Sequence, residues 1–556
     1  MNPSKLRRFC CVTIATVLLL LLFTASSQAT RRERIIDSWR PTHFNVAIEL
    51  DDALTQLTKA RTEITIVAMK DMLSLVDLDF GELPVDRVQV DGQTASFDRA
   101  PGRLNIPLQK PVAKGQRFVV AVEYHGKPED GLILTRDKDG RPSATGDNWP
   151  DRVHHWIPCF DHPSAKATVT FTVTAPQRDL VVANGKLAQT KNDAASVSTW
   201  TYVESVPIPA YCMVVAVGQY AKSGPTTKAV TPLNYYVPLS DAKVAVQGFS
   251  AAAPSLRFFS ETIAPYPYEK LALIVGATKF GGMENSSAIV FQGNLLGRRN
   301  SPRLSRAFQI DEALEQVVAH EIAHQWFGDS VTEATWADLW LSEGFATYFA
   351  GLVVEKYDGA DAFHAYMKQA ADTILRSSRR RTVPIHDTET EKLLDLLNVN
   401  SYQKGAWVLH MLRMQLGDGA FFKGVRNYYE AHKNSTATTE DLRAELEKAS
   451  GKNLKEFFAR WIYGSGHPQY EVSWEAANAG GGNLNVTVRV TQRQAEAVFL
   501  DPFTIEVTTS GGKTRQTIQP TSKTTSVQFS LKDKPISISL DPDDTLLKEV
   551  VVKTQL

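Results

Sequence analysis

Two histidines four residues apart around a glutamate, in the run HEIAHQWFGDSVTEATWADLWLSEGFATY from His320 to Tyr348, constrain this chain more than any other feature. Four residues is about one helical turn, so His320 and His324 project side by side from one helix face and can share an ion. Leu314, Val318, Ile322 and Trp326 fall on a different face, which can be buried while the histidines look into a cleft. Asp311 suits the N-cap of that helix and Gly328 its stop. Glu321, three residues before His324, flanks the ion rather than completing its shell.

Two imidazoles leave a divalent ion short of donors, since a catalytic zinc takes three protein ligands and keeps a fourth position for water. A third histidine six residues after the second is one known solution, but that position holds Ser330. The other is a carboxylate on a following helix. Glu343 stands in LWLSEGFATYFAGLVVEKY, a helical pattern ending near Gly359, and the short connection from Gly328 allows an antiparallel return. His320, His324 and Glu343 then form a His₂Glu site for one zinc ion. His154, His155 and His162 form a second group without helical spacing, and they read as loop and core histidines.

Length and charge set the frame around this site. A chain of 556 residues is too long for one ordinary domain. Lys+Arg and Asp+Glu are equal at 61 each, a balance that calls for no nucleic-acid partner, and Arg379–Arg381 reads as a solvated loop. Lys5, Arg7 and Arg8 precede an apolar stretch that ends in TASSQA, the pattern of a secretory signal over residues 1–29. The expectation is an exported protein, periplasmic or secreted, with no stable membrane insertion after cleavage. An uncleaved anchor is the alternative, because the apolar stretch from Phe9 to Ala25 just reaches membrane length. Past that segment only Cys159 and Cys212 remain, each among apolar neighbours, and they read as buried thiols rather than a bridge.

The pattern along the chain divides it into a multidomain α+β protein. Residues 30–220 are strand-rich, as in KATVTFTVTAP, RFVVAVEY and RTEITIVAM. Residues 221–465 change to helices, among them TTEDLRAELEKASG and NLKEFFARWIYGSG, each opened by a cap residue and closed by glycine. From 466 to 556 strands return. Leu484, Val486, Val488 and Val490 alternate, as do Ile536, Ile538 and Leu540, with AGGGN and SGGK as turns, which suits a small β-sandwich.

At these residues the chain resembles the zinc aminopeptidases of the alanyl-aminopeptidase and leukotriene-hydrolase family. The likeness runs in order from about residue 36 to the C-terminus. Gly281, Gly282, Met283, Glu284 and Asn285 match the family's exopeptidase segment, His320–Tyr348 its zinc segment, and SYQKGAWVLHML its catalytic tyrosine segment at Tyr402. IPCFDHPSAKATVTF and WIYGSGHP fit flanking patterns. The resemblance implies an N-terminal β saddle domain, a thermolysin-like α/β catalytic domain and a C-terminal β-sandwich, without the large helical domain that many relatives carry after the sandwich. Two departures stand out. Ser342 replaces the asparagine that relatives carry before the zinc glutamate. Trp149 stands where relatives hold the substrate amine with Gln or Glu, leaving Asp147 or Asn148 as substitutes.

The implied function is removal of N-terminal residues from peptides. Zinc activates water and polarises the scissile carbonyl, Glu321 moves the protons, and Tyr402 donates to the oxyanion. Glu284, within a substrate-binding segment that includes Gly281, Gly282 and Met283, pairs with the peptide's free α-ammonium group. The expected partners are therefore peptides with a free N-terminus. A zinc endopeptidase or a catalytically silent peptide-binding member of the same fold are the alternatives.

Overall fold

The structure, a computed structural model, describes residues 33–192, 196–226, 230–293, 295–296, 314–378, 383–480 and 482–553. Residues 1–29, Asp311 and Arg379–Arg381 lie outside the described residues, as do the expectations placed on them. Cys159 and Cys212 are both buried and unbridged. Among the described residues no helix is long and apolar enough to cross a membrane.

The N-terminal region is built on an eight-stranded sheet. Its centre is strand Trp39–Leu50, which pairs antiparallel with Leu57–Ala68 and parallel with Lys166–Pro176. In the last of these Val169, Phe171 and Val173 are buried while the threonines between them face outward, the period of two that the sequence carries. A four-stranded and a three-stranded sheet pack with it around one apolar core.

The catalytic region opens with a five-stranded sheet that the helical reading of residues 221–465 overlooked. Its spatial order is Tyr220–Ser223, Leu233–Pro238, Leu271–Gly276, Ala288–Gln292, Gly282–Met283. The three middle strands run parallel, and both edge strands pair antiparallel. Leu271–Val275 is buried on both faces, so its run of apolar residues carries no alternation to mark it as a strand.

The helices of this region are α1 (Ala252–Thr262), α2 (Leu314–His324), α3 (Trp340–Asp358), α4 (Ala360–Ser378), α5 (Gly405–Leu416), α6 (Asp418–His432), α7 (Thr439–Ser450) and α8 (Lys455–Trp461), besides the single turn Ala245–Gly248. Every residue of α3 from Trp340 to Leu352 is buried, which makes it the central helix. It stops at Gly359. Thr438 caps α7 reciprocally with Asp441, and Gly451 ends it in the left-handed conformation. The closing glycines of α2 and α8 lie beyond the helices, which end at His324 and Trp461.

The C-terminal region is a sandwich of a four-stranded and a three-stranded sheet. Val486, Val488, Val490, Ile538 and Leu540 are buried in it, continuous with the catalytic core. Ile536 is 70% exposed and precedes its strand, so the alternation begins two residues later than the sequence suggests.

Candidate metal centre

Helices α2 and α3 bring His320, His324 and Glu343 to one point, the one group of this kind among the described residues. The two Nε2 atoms are 3.0 Å apart, and Glu343 Oε2 lies 3.2 Å from the first and 3.4 Å from the second. A tetrahedral ion with bonds of about 2.0–2.1 Å holds its ligands roughly 3.3–3.4 Å from one another, so the triangle has the size zinc requires. The donor chemistry agrees. His324 Nδ1 lies 3.1 Å from the Phe327 carbonyl, which can only accept, so Nδ1 carries the proton and the Nε2 lone pair is free for a metal.

Ser342 Oγ approaches the same Nδ1 at 3.0 Å. A Cβ on Gly328, whose φ is +117°, would collide with Ser342 Oγ, so this glycine allows a close approach as well as a turn. Burial alone would raise the Glu343 carboxyl, but the neighbouring His324 and His320 outweigh it and hold it down, ionised.

Tyr402 sits in a single π-helical turn, Asn400–Lys404, that leads into α5. Its hydroxyl donates to Glu343 Oε1 at 2.8 Å, and its ring lies parallel to that of His320, with centroids 5.8 Å apart. Burial, reinforced by the Glu343 charge, pushes this phenol far up, so it remains a donor. The approach depends on two glycines. A Cβ on Gly344, in α3, would stand 3.0 Å from the Cα of Gly405, and one on Gly405 would stand 3.0 Å from the Cα of Gly344. The two helices touch backbone to backbone one residue from Glu343 and three from Tyr402.

The exopeptidase segment forms the facing wall. Strand Gly282–Met283 is the terminal strand of the five-stranded sheet. A Cβ on Gly282 would run into the carboxylate of Glu321, so this glycine admits the proposed base. No heavy atom lies within 4 Å of a Cβ built on Gly281. The Met283 side chain is buried in an apolar cluster with Trp149, Tyr211 and Trp336. It anchors the strand in that cluster.

Glu284 is 6% exposed. Burial pushes its carboxyl up; His324 opposes that shift and the Glu343 charge adds to it.

Asp147 and Asn148 are already committed elsewhere. Asp147 accepts from Thr278 Oγ1, Arg152 and the Lys279 N–H, while Asn148 accepts from Trp156 Nε1 and donates to the Met213 carbonyl. Both side chains are fully buried within these bonds. Trp149 stacks edge-on against Phe280 and Trp336. His154 is bound to Asp161 at 2.8 Å and His162 to Glu33 at 3.2 Å, apart from the metal group.

Sequence reasoning missed Gln325, Gly344 and Gly405, and gave Ser342 no role. Glycines inside helical patterns were the available signal, since each costs roughly 1 kcal/mol against alanine and persists for a packing reason.

Comparison with known proteins gives a consistent picture. A model described as Peptidase M1 N-terminal domain matches residues 40–212, and one described as Peptidase family M1 domain matches residues 248–461. The chain is 28% identical over 421 residues to a leucyl aminopeptidase of Saccharolobus solfataricus, covering 73% of this chain and 52% of that protein. It is 31% identical over 374 residues to a glutamyl aminopeptidase of Rattus norvegicus, covering 64% and 39%. The chain thus spans about half the length, or less, of these curated relatives. Among solved structures, an M1 zinc metallopeptidase from Deinococcus radiodurans superposes with a TM-score of 0.64 at 25% identity, covering 76% of this chain and 93% of that one.

Proposed function

The chain belongs to peptidase family M1, and on that premise we propose that it is a zinc-dependent aminopeptidase releasing N-terminal residues from peptides. The observation that carries the reading is the placement of Glu284: a buried carboxyl whose backbone carbonyl is bound by Gln325, next to His324, in the segment where Gly282 packs against Glu321. A peptide's α-ammonium group pairs with it, which sets the first peptide bond, and no later one, over the metal donors.

When bound by His320, His324 and Glu343, zinc supplies Lewis-acid polarisation and activation of water. The remaining work falls to the chain's own side chains. Glu321, admitted by Gly282, takes the proton of the attacking water and passes it to the leaving amine. Tyr402 transfers its hydrogen bond from Glu343 Oε1 to the oxygen on which charge develops. The free edge of strand Gly282–Met283 offers backbone groups to an extended substrate. Residues 1–29 act as a secretory signal in this proposal, so the peptides are met outside the cytosol.

A panel of aminoacyl amides and their N-acetyl derivatives, with and without chelator, tests the reading. Free amides are hydrolysed and acetylated ones are not, and chelation abolishes the activity. Equal cleavage of acetylated substrates would replace the aminopeptidase reading with an endopeptidase one.

A further inference from the structure

Gln325 follows the second metal histidine, is fully buried, and has its amide engaged on all four sides. One Nε2 hydrogen goes to the Glu284 carbonyl at 2.6 Å and the other to Asp329 Oδ2 at 2.8 Å. Its Oε1 accepts from the Ser287 N–H at 2.8 Å and from the Tyr266 hydroxyl at 2.9 Å. An amide has two donors and two lone pairs, so nothing is left over. The flipped amide would set NH₂ against the Ser287 N–H and oxygen against the Glu284 carbonyl, so a single orientation is possible.

Two of these four bonds go to the backbone of the segment that carries Glu284. One is at Glu284 itself, and the other is at Ser287, where φ is +62°. A serine holds that left-handed conformation only where its surroundings fix it. Here the Ser287 hydroxyl donates to Glu204 and accepts from the Gly185 N–H. On the metal side, Asp329 is held in turn by Cys212 Sγ and, through its carbonyl, by Lys166. One side chain therefore ties the backbone of the acidic residue to the residue adjoining a metal ligand.

We infer that Gln325 is a positioning residue that sets the distance between the Glu284 carboxylate and the metal donors, and with it recognition of the substrate's amine. The inference rests on the reading of Glu284 as the amine partner. Its logic is geometric. The α-nitrogen of a peptide lies only two covalent bonds from the first carbonyl carbon, so the acid and the metal must be held at one separation. Helix α2 fixes the metal side, and Gln325 transfers that fixed position to the wall opposite.

Two metal-binding probes separate this role from a structural one: leucine hydroxamate, which carries the amine, and 4-methylpentanohydroxamic acid, which lacks it. Each is titrated into the zinc-loaded protein, with zinc content measured alongside. Wild type binds the amine-bearing probe more tightly. Gln325→Met retains one zinc per chain and binds the des-amino probe as wild type does, but loses about tenfold or more for leucine hydroxamate, the scale of a misplaced charged contact. Tyr266→Phe, which removes only one acceptor bond from the amide, loses less in the same selective way and serves where Gln325→Met does not fold. Equal losses on both probes, loss of zinc from folded protein, or no change on either would overturn the inference. A wild type that binds the two probes equally would instead refute the reading of Glu284 itself.

Discussion

The two walls of the cleft are held by different means. The metal wall is made of side chains on two helices, where His320, His324 and Glu343 meet because α2 and α3 are buried and packed against each other. The opposite wall, the amine wall of the proposed reading, is a short edge strand and a turn, and its acidic residue is placed through backbone bonds to Gln325 and through Ser287. Helices place side chains by their period alone, whereas a turn has to be tied down from outside. Damage to the metal wall should therefore spread through packing, and damage to the amine wall should be local and selective.

Glu321 lies at the seam, on the metal helix but against Gly282 of the opposite wall. Glu321→Gln is the largest expected effect and the sharpest test of the division, because it leaves both walls in place. Turnover of aminoacyl amides should fall by roughly 10²–10⁴-fold, the usual range for general acid–base catalysis. Zinc content and binding of an amine-bearing hydroxamate should hold. Turnover within a few-fold of wild type would remove Glu321 from the reaction.

Gly405→Ala tests whether the metal wall fails through packing. The new methyl group meets the Gly344 backbone at 3.0 Å, where neither helix has a flexible side chain to yield. Overpacking of this kind costs about 1–3 kcal/mol, readable as a lower denaturant midpoint. The displaced π-turn should carry Tyr402 away from Glu343, so turnover falls further than stability alone explains. Unchanged stability and turnover would show that the glycine contact can relax and that Tyr402 is placed by other means.

The same contrast explains what could be read in advance. The His₂Glu site follows from a four-residue period and a second helix, both local facts of the chain, and the outer sheets show their alternation because one face of each strand is wet. The buried sheet around Leu271–Val275 has no wet face and left no period to read. The amine wall draws on three separate stretches of sequence: Tyr266, Glu284 with Ser287, and Gln325 meet only in the fold. Asp147 and Asn148, close to the expected offset, carry bonds to Thr278, Arg152, Trp156 and Met213 that no local pattern announces.

Ser342→Ala should give the smallest effect and shows how well the helical wall tolerates loss. The hydroxyl lies 3.0 Å from His324 Nδ1, but the Phe327 carbonyl accepts from the same nitrogen at 3.1 Å. Removing an outer partner of a metal-bound histidine typically costs about 10–100-fold in metal affinity. With a second acceptor in place, the loss should stay below about tenfold, and the imidazole keeps its tautomer. Competition with a zinc chelator of known affinity measures this directly. A loss of 100-fold would mean that the serine, rather than the carbonyl, orients His324. The metal wall would then depend on a single side-chain bond, much as the amine wall depends on Gln325, and the contrast between them would disappear.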